Sequence, residues 1–380
     1  MEKQSQRRGQ CQRDKKIGIT IFISSEIYRV KKTLLSEVGE FGLIQRMLKG
    51  FAPHHPTTLT GPGDDAAVIR ISSGRVQLVS TDLLLENIHF NLVYTPLRHL
   101  GYKSVVSSVS DIAAMNAHAR EILVSIGVSN RFSVEDIEEL YAGIHLACDR
   151  YQLDLVGGDT SSSAGGLMIS VTAMGYANEN AVVRRSGANK GDLLLVSGQL
   201  GGACAGLQIL EREKFAFENP PGVTPELSGH EEVLQRQLRP EARVDVIEML
   251  ESLDVTPTSM MDVSDGLSSE ILHIAKASGL GVSVYEEKIP ISDATQKVAH
   301  AFGTSPMNWA LHGGEDYELL FTVSPSDYEK ITDCDAWSVI GHMNSKGEKC
   351  FLKTTLGETI ELHSGGWNSL ANQGGNKKQK

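Results

Sequence analysis

One kind of local pattern recurs along this chain and limits what it can fold into. Gly61-Pro62-Gly63-Asp64-Asp65-Ala66-Ala67 sets two adjacent carboxylates after a sharp turn and before an apolar, strand-like run, Ala66 to Ile71. Gly and Pro fix the backbone there, so the acids sit at a defined bend and not on a loose surface loop. The same setting, an acid at the end of an apolar run beside small residues, returns at Ser80-Thr81-Asp82, Ser110-Asp111, Gly157-Gly158-Asp159-Thr160 and Asp262-Val263-Ser264-Asp265-Gly266. A carboxylate-only set of this kind suits hard, oxygen-loving cations such as Mg²⁺. Bridging cations would also let the acids crowd together, since two carboxylates 4 Å apart repel by about 4 kcal/mol at an effective dielectric of 20.

Taken singly, each acid has an ordinary reading. Asp82 could cap a turn, Asp159 is evenly balanced between a turn and a ligand site, and Asp265 could cap the helix that follows it. Asp111 differs, because it lies in an otherwise small and apolar helical stretch, Val105 to Ala114, where a charge needs a partner. Arg184-Arg185-Ser186-Gly187 is a basic pair in a loop, either solvated or phosphate-binding. Gly313-Gly314-Glu315-Asp316-Tyr317 repeats the design of acids on a glycine bend before a strand.

The pattern of elements predicts an α+β fold in two domains. A short amphipathic helix over Ser36 to Gly50 precedes strands at Ala66 to Ile71 and Val76 to Thr81, with a turn at Ser72-Ser73-Gly74. Pro96 opens a long helix to about Ala117, Glu121 to Val128 is a strand, and Ser133 with Asp136 resembles a capping box for a helix to Tyr151. Strands at Leu153 to Val156 and Leu167 to Tyr176 flank Gly157-Gly158-Asp159-Thr160. Hairpins mixed with crossovers favour a mixed sheet with helices on one face. Beyond a boundary near residue 178 come strands at Asp192 to Ser197, Ser259 to Val263, Val282 to Tyr285, Tyr317 to Val323 and Trp337 to His342. Helices are expected at Gly201 to Glu213, from Pro240 to Leu253 and at Leu267 to Ser278, with a Pro/Gly-rich loop from Phe215 to Gly229.

Composition narrows the function classes. The 380 residues carry a net charge of -11, which argues against a nucleic-acid surface, and no apolar run reaches the length of a membrane span. The cysteines Cys11, Cys148, Cys204, Cys334 and Cys350 are scattered without a C-x-x-C pair, as expected in a reducing cytoplasm. Residues 1–35 read as a basic extension without a convincing signal peptide, and the Lys-rich tail after Trp367 as disordered. There is no Walker-type G-x-x-x-x-G-K-[ST] loop, no G-x-G-x-x-G after a strand and no protein-kinase motif set. Any handling of nucleotide phosphates therefore falls to metals held by carboxylates.

Between Ser36 and Trp367 the motifs occur in a specific order. They are Gly39-Glu40-Phe41-Gly42-Leu43-Ile44, Gly61 to Ala66, Ser80-Thr81-Asp82, His89-Phe90, Ser110-Asp111-Ile112-Ala113-Ala114-Met115, Gly157 to Thr160, Arg185-Ser186-Gly187-Ala188, Asp262 to Leu267 and Gly313 to Leu319. In this order they resemble the thiamine-monophosphate kinase family, of the superfamily that includes aminoimidazole ribonucleotide synthetase and selenophosphate synthetase. Departures are residues 1–35 and Pro62, where the family often has another residue.

The resemblance implies phosphorylation of thiamine monophosphate by ATP to thiamine diphosphate, the last step of thiamine diphosphate biosynthesis. It implies direct in-line transfer assisted by several Mg²⁺ ions. By the same resemblance Asp65, Ser80, Thr81, Asp82, Asp111, Asp159, Asp262 and Asp265 are expected to hold Mg²⁺. Tyr141, Gly158, Asp159, Arg185 and Ser264 would meet ATP, and His89, Glu315 and Trp367 would line the thiamine phosphate site. No general base is implied, because the acceptor is already an anion. The implied architecture is an N-terminal ATP/Mg-binding domain over 36–178, whose sheet pairs across a homodimer, and a C-terminal α/β sandwich domain over 179–368. Rivals are a sister enzyme that phosphorylates an amide oxygen or a selenide, and a non-catalytic nucleotide-binding regulator. Cys11 lies outside the matched region, which weakens the selenide reading, and an intact set of acids weakens the regulator.

Overall fold

The computed structural model describes residues 33–219, 224–363 and 365. The expectations for residues 1–32, for Trp367 and for the tail lie outside the described residues. The first half begins with helix α1 (Leu35–Met47), followed by strands β1 (Thr58–Thr60), β2 (Ala67–Ser72) and β3 (Arg75–Leu85) and helix α2 (Leu97–Ala113). Strand β4 (His118–Val128), helix α3 (Val134–Tyr151), and strands β5 (Asp154–Ser162) and β6 (Met168–Asn178) complete it. The six strands form one sheet in the order β1-β2-β3-β6-β4-β5, antiparallel throughout except for the β4–β5 pair.

Alternation along β3 decides what this sheet can do. Val76, Leu78, Ser80 and Leu84 are buried, whereas Thr81 and Leu83 between them are exposed. Successive strand residues point to opposite faces, so one face carries the core and the other stays open. Helix α2 covers the core face and is buried from Leu100 to Ser110 along its length. Pro96 precedes its first turn, where a missing N–H costs nothing. Helix α3, started by the Ser133–Asp136 capping box, crosses α2 so closely that a Cβ on Gly143 would lie 1.8 Å from the Arg98 carbonyl oxygen. That contact requires glycine.

The second half contains strand β7 (Leu193–Ser197), helices α4 (Gly202–Glu218), α5 (Glu231–Leu238) and α6 (Val244–Ser252), strand β8 (Ser259–Asp262), helix α7 (Leu267–Ser278) and strand β9 (Leu280–Tyr285). Helices α8 (Asp293–Ala301) and α9 (Pro306–His312), strand β10 (Leu319–Val323), helix α10 (Tyr328–Ile331) and strands β11 (Trp337–Lys346), β12 (Cys350–Lys353) and β13 (Thr359–Glu361) follow. Its sheet runs β13-β12-β9-β11-β7-β10-β8, with β12–β9 the one parallel pair among the described strands of this sheet. The expected α+β class, in two parts that each carry a sheet, is what the chain adopts.

Several boundaries differ from the sequence expectation, each for a physical reason. Gly157-Gly158-Asp159-Thr160 does not form a bend between strands but lies inside β5, in parallel register with Leu123 to Ile126. Ser80-Thr81-Asp82 is likewise mid-strand, because β3 pairs with β6 all the way to Leu85. The helix expected from Pro240 starts at Val244. Arg239, which precedes the proline, has φ -144° and ψ 67°, as the ring disfavours the helical region for its neighbour. Helix α4 continues through Phe215 to Glu218, into the stretch expected to be loop.

Candidate active site

Three carboxylates from distant parts of the chain meet at the seam between the halves. Asp65 comes from the Gly-Pro-Gly turn, Asp111 from the last turns of α2, and Asp262 from the end of β8. Their ligand oxygens lie within 4.8 Å of one another. Burial raises the Asp111 carboxyl well above its ordinary value, and the charges of Asp82, Asp262 and Asp65 push it further. Asp262 is pushed up to about 7 by burial and then by Asp65. Such a set repels itself, is short of positive charge and could hold a metal ion.

Hydroxyls orient these acids without neutralising them. Ser80 donates to Asp111 Oδ2, Ser108 to Asp82 Oδ2 at 2.7 Å, and Ser110 to Asp262 Oδ2 at 2.6 Å across the domain seam. One cation enters the cluster. Arg185, in the connection between β6 and β7, grips Asp65 with Nη2 at 2.6 Å and Nε at 3.2 Å. Asp64 turns away from the cluster and accepts the backbone N–H groups of Arg185 at 3.1 Å and Asp65 at 3.3 Å. It braces the turn.

The remaining acids divide between two places. Asp82 faces α2 beside the cluster. Thr81 faces the open side of the sheet, where its hydroxyl meets those of Thr172 at 3.0 Å and the Val171 carbonyl at 3.3 Å. Cross-strand register puts Asp159 beside Ser125 on that same open side. The structure therefore does not bring Thr81 and Asp159 side chains to the Asp65–Asp111–Asp262 cluster. Asp159 instead shares a cleft of about 510 Å³ with Tyr141 and Gly158, between α3 and β5. Three of the residues expected near ATP thus line one surface. Gly158 has no room for a side chain, since a Cβ would stand 1.8 Å from the Val124 carbonyl oxygen.

Behind the cluster, the loop from Val263 to Gly266 is tied to the bend from Gly313 to Glu318. Glu315 N–H donates to the Ser264 carbonyl at 2.7 Å and Tyr317 N–H to the Val263 carbonyl at 3.0 Å. Buried Glu270 accepts the N–H groups of Ser264 at 3.1 Å and Asp265 at 2.8 Å. Asp265 is pushed up to about 6 by burial and by the charge of Glu40 on α1. Of the bend's acids, Asp316 and Glu318 are structural. Asp316 accepts from Gly201 and Ala203 at the start of α4, and Glu318 is buried against Arg236, Arg243 and Ser197.

Glu315 alone turns to the seam, toward His89. The His89 Nδ1 accepts the Leu85 N–H at 2.9 Å, so its ring proton sits on Nε2, and burial lowers its basicity. Sequence reasoning missed Ser108, Lys103 and Gln237. Ser108 and Lys103 lie on a helix that is buried on every side from Leu100 to Ser110.

Comparison with known proteins now has geometry to rest on. Residues 63–177 match the model for the AIR synthase related protein, N-terminal domain, and 189–352 that for its C-terminal domain. The thiamine-monophosphate kinase of Bacillus subtilis (strain 168) is 34% identical over 321 residues, 83% of this chain and 94% of the relative. The chain belongs to the thiamine-monophosphate kinase family. The thiamine-monophosphate kinase of Aquifex aeolicus (strain VF5) is 36% identical over 290 residues, 76% of this chain and 87% of that one. The solved structure of AaThiL complexed with AMPPCP and TMP superposes with a TM-score of 0.75 at 31% identity, covering 89% of this chain and 99% of that one.

Proposed function

We propose that this protein transfers the γ-phosphoryl group of ATP directly onto the phosphate of thiamine monophosphate, giving thiamine diphosphate and ADP. The observation that carries the proposal is the meeting of Asp65, Asp111 and Asp262 at the domain seam in a chain of this family. Buried, mutually repelling carboxylates oriented by serine hydroxyls fit Mg²⁺, and Asp65, Asp82, Asp111 and Asp262 would hold it. When bound, Mg²⁺ supplies the charge neutralisation that lets two phosphate-bearing anions approach.

The chain's own residues do the rest. Arg185, anchored on Asp65, presents guanidinium N–H groups toward the seam for a phosphate oxygen. Tyr141, Gly158 and Asp159 offer a cleft for the nucleotide, and Ser264 lies at the start of the loop that leads into α7. His89 and Glu315 frame the acceptor. No residue is assigned as base, because the attacking phosphate oxygen carries no proton that must leave. Asp265 remains assigned to metal in this proposal, whereas Thr81 and Asp159 stand on the open side of the sheet, apart from the cluster.

That open side also supports a homodimer. Strand β5 is a fully exposed edge, and Leu83 (54%), Val156 (54%) and Met168 (38%) stand exposed on it or around it. An unpaired edge beside an apolar face is a surface that a second copy would cover. We take the domains as 36–178 and 179–368, the boundary falling where β6 ends at Asn178. No helix among the described residues is long and apolar enough to cross a membrane, and we place the enzyme in the cytoplasm. Incubation of purified protein with ATP, Mg²⁺ and thiamine monophosphate should yield thiamine diphosphate on chromatography. Folded protein that forms none would refute the proposal.

A further inference from the structure

Lys103 is a buried cation that the phosphate chemistry does not use. It lies on α2, 3% exposed, and its Nζ contacts Glu315 Oε1 at 2.9 Å and the Gln237 backbone carbonyl at 3.1 Å. Gln237, on α5 and itself buried, donates from Nε2 to the other Glu315 oxygen at 2.9 Å. Both carboxylate oxygens are therefore held, one by each half of the molecule. Glu315 sits at φ 59°, between Gly314 at 68° and Tyr317 at 51°. Non-glycine residues in that region carry strain that persists only where contacts over-determine the position. Lys103 and Gln237 supply those contacts.

The pairing also sets how Glu315 can recognise a ligand. A bare, half-buried carboxylate attracts any cation. A carboxylate paired with an ammonium at 2.9 Å is neutral as a unit, yet keeps directional lone pairs free for a donor. Thiamine monophosphate offers both kinds of partner, a quaternary thiazolium charge and an exocyclic amine on its pyrimidine. Resting on the kinase reading above, we propose that Lys103 and Gln237 are specificity-determining positioning residues. They hold Glu315 as a charge-compensated hydrogen-bond acceptor, so that the site selects its acceptor by an N–H donor and not by positive charge.

The test compares three acceptors with ATP and Mg²⁺. They are thiamine monophosphate, its 4-oxo analogue (amine removed, thiazolium kept) and an analogue with a neutral ring in place of the thiazolium (amine kept). Wild-type protein should lose about tenfold or more in kcat/KM on loss of the amine, the weight of one charge-assisted hydrogen bond, and much less on loss of the charge. In Lys103→Met, KM for thiamine monophosphate should rise by about tenfold while KM for ATP stays within about twofold, and the preference should turn toward the cationic 4-oxo analogue. Lys103→Arg, which keeps the charge, should recover the wild-type order of preference. Gln237→Leu, which removes one bond to Glu315 without burying a lone charge, serves as the second variant should Lys103→Met not fold, and should raise the same KM alone.

Wild-type discrimination by charge, or an equal rise in both KM values in the variants, would overturn the inference. Wild-type turnover of none of the three acceptors would instead overturn the kinase reading itself.

Discussion

Asp111→Asn should cost nearly all of the activity and yet stabilise the metal-free protein. The carboxylate oxygens of Asp111, Asp65 and Asp262 lie within 4.8 Å of one another. At an effective dielectric of 20, each ionised pair at that distance costs about 3.5 kcal/mol. Proton uptake by the cluster and the Arg185 contact relieve much of this. The net gain expected from removing one charge is then about 1–3 kcal/mol. Asn keeps the volume and an oxygen to accept from Ser80, so no cavity or orphaned donor offsets the gain.

Urea midpoints in EDTA at pH 8 give the stability, and the same titration with Mg²⁺ should show wild type gaining on the variant. Turnover should fall on the order of 10²–10³-fold and recover poorly with added Mg²⁺. Near wild-type turnover would remove Asp111 from the site, and a metal-free variant less stable than wild type would refute the charge crowding.

Three further perturbations reach other parts of the site. Gly158→Ala must push β5 away from the Val124 carbonyl, so nucleotide affinity measured by calorimetry should fall while acceptor affinity is kept. Arg185→Lys cannot reproduce the two-nitrogen grip on Asp65, and kcat/KM should drop by about tenfold or more in steady-state assays. His273, packed against Phe41 with ring centroids 4.6 Å apart, is pushed down to about 4 by burial and by Arg185. A depressed histidine contributes stability that is present above its unfolded value of about 6.5 and is lost as pH falls through about 4. His273→Gln should flatten that part of an acid-unfolding curve followed by circular dichroism, and an unchanged curve would count against the burial.

The acidic turns were legible because glycine, proline and apolar runs fix where a chain bends. Asp65, Asp111 and Asp262 do meet, as that pattern suggested. The faces of the strands were harder to read. Thr81 and Asp82 are neighbours in sequence, but β3 runs on to Leu85, and pleating sends them to opposite sides of the sheet. Asp159 was read on a bend because two glycines precede it. In the fold those glycines serve close strand packing, and the acid lands on the open face. Helices α8 and α9 are short and owe their form to tertiary packing, for which local propensity carries little signal. Lys103 could not be assigned from sequence, since both of its partners lie more than a hundred residues away.

Helix α2 explains why one site can hold its acids in two different ways. A core helix built for stability alone would carry aliphatic side chains at its buried positions. Here Ser104 and Ser107 return their hydroxyls to carbonyls of the helix itself, whereas Ser108 and Ser110 reach out to Asp82 and Asp262. A hydroxyl fixes a carboxylate's direction but leaves its charge intact. On the proposed function, a lysine at either serine would fill the place that a divalent cation needs. Two helical turns before Ser110, on that serine's face of the helix, stands Lys103, and there an ammonium does cancel a carboxylate, that of Glu315. The helix thus orients Asp82 and Asp262 with hydroxyls that leave their charge in place, and cancels the charge of Glu315 with an ammonium. On the proposed function, exchanging the two devices, hydroxyl for ammonium, would take the cation away from the Asp65–Asp111–Asp262 cluster.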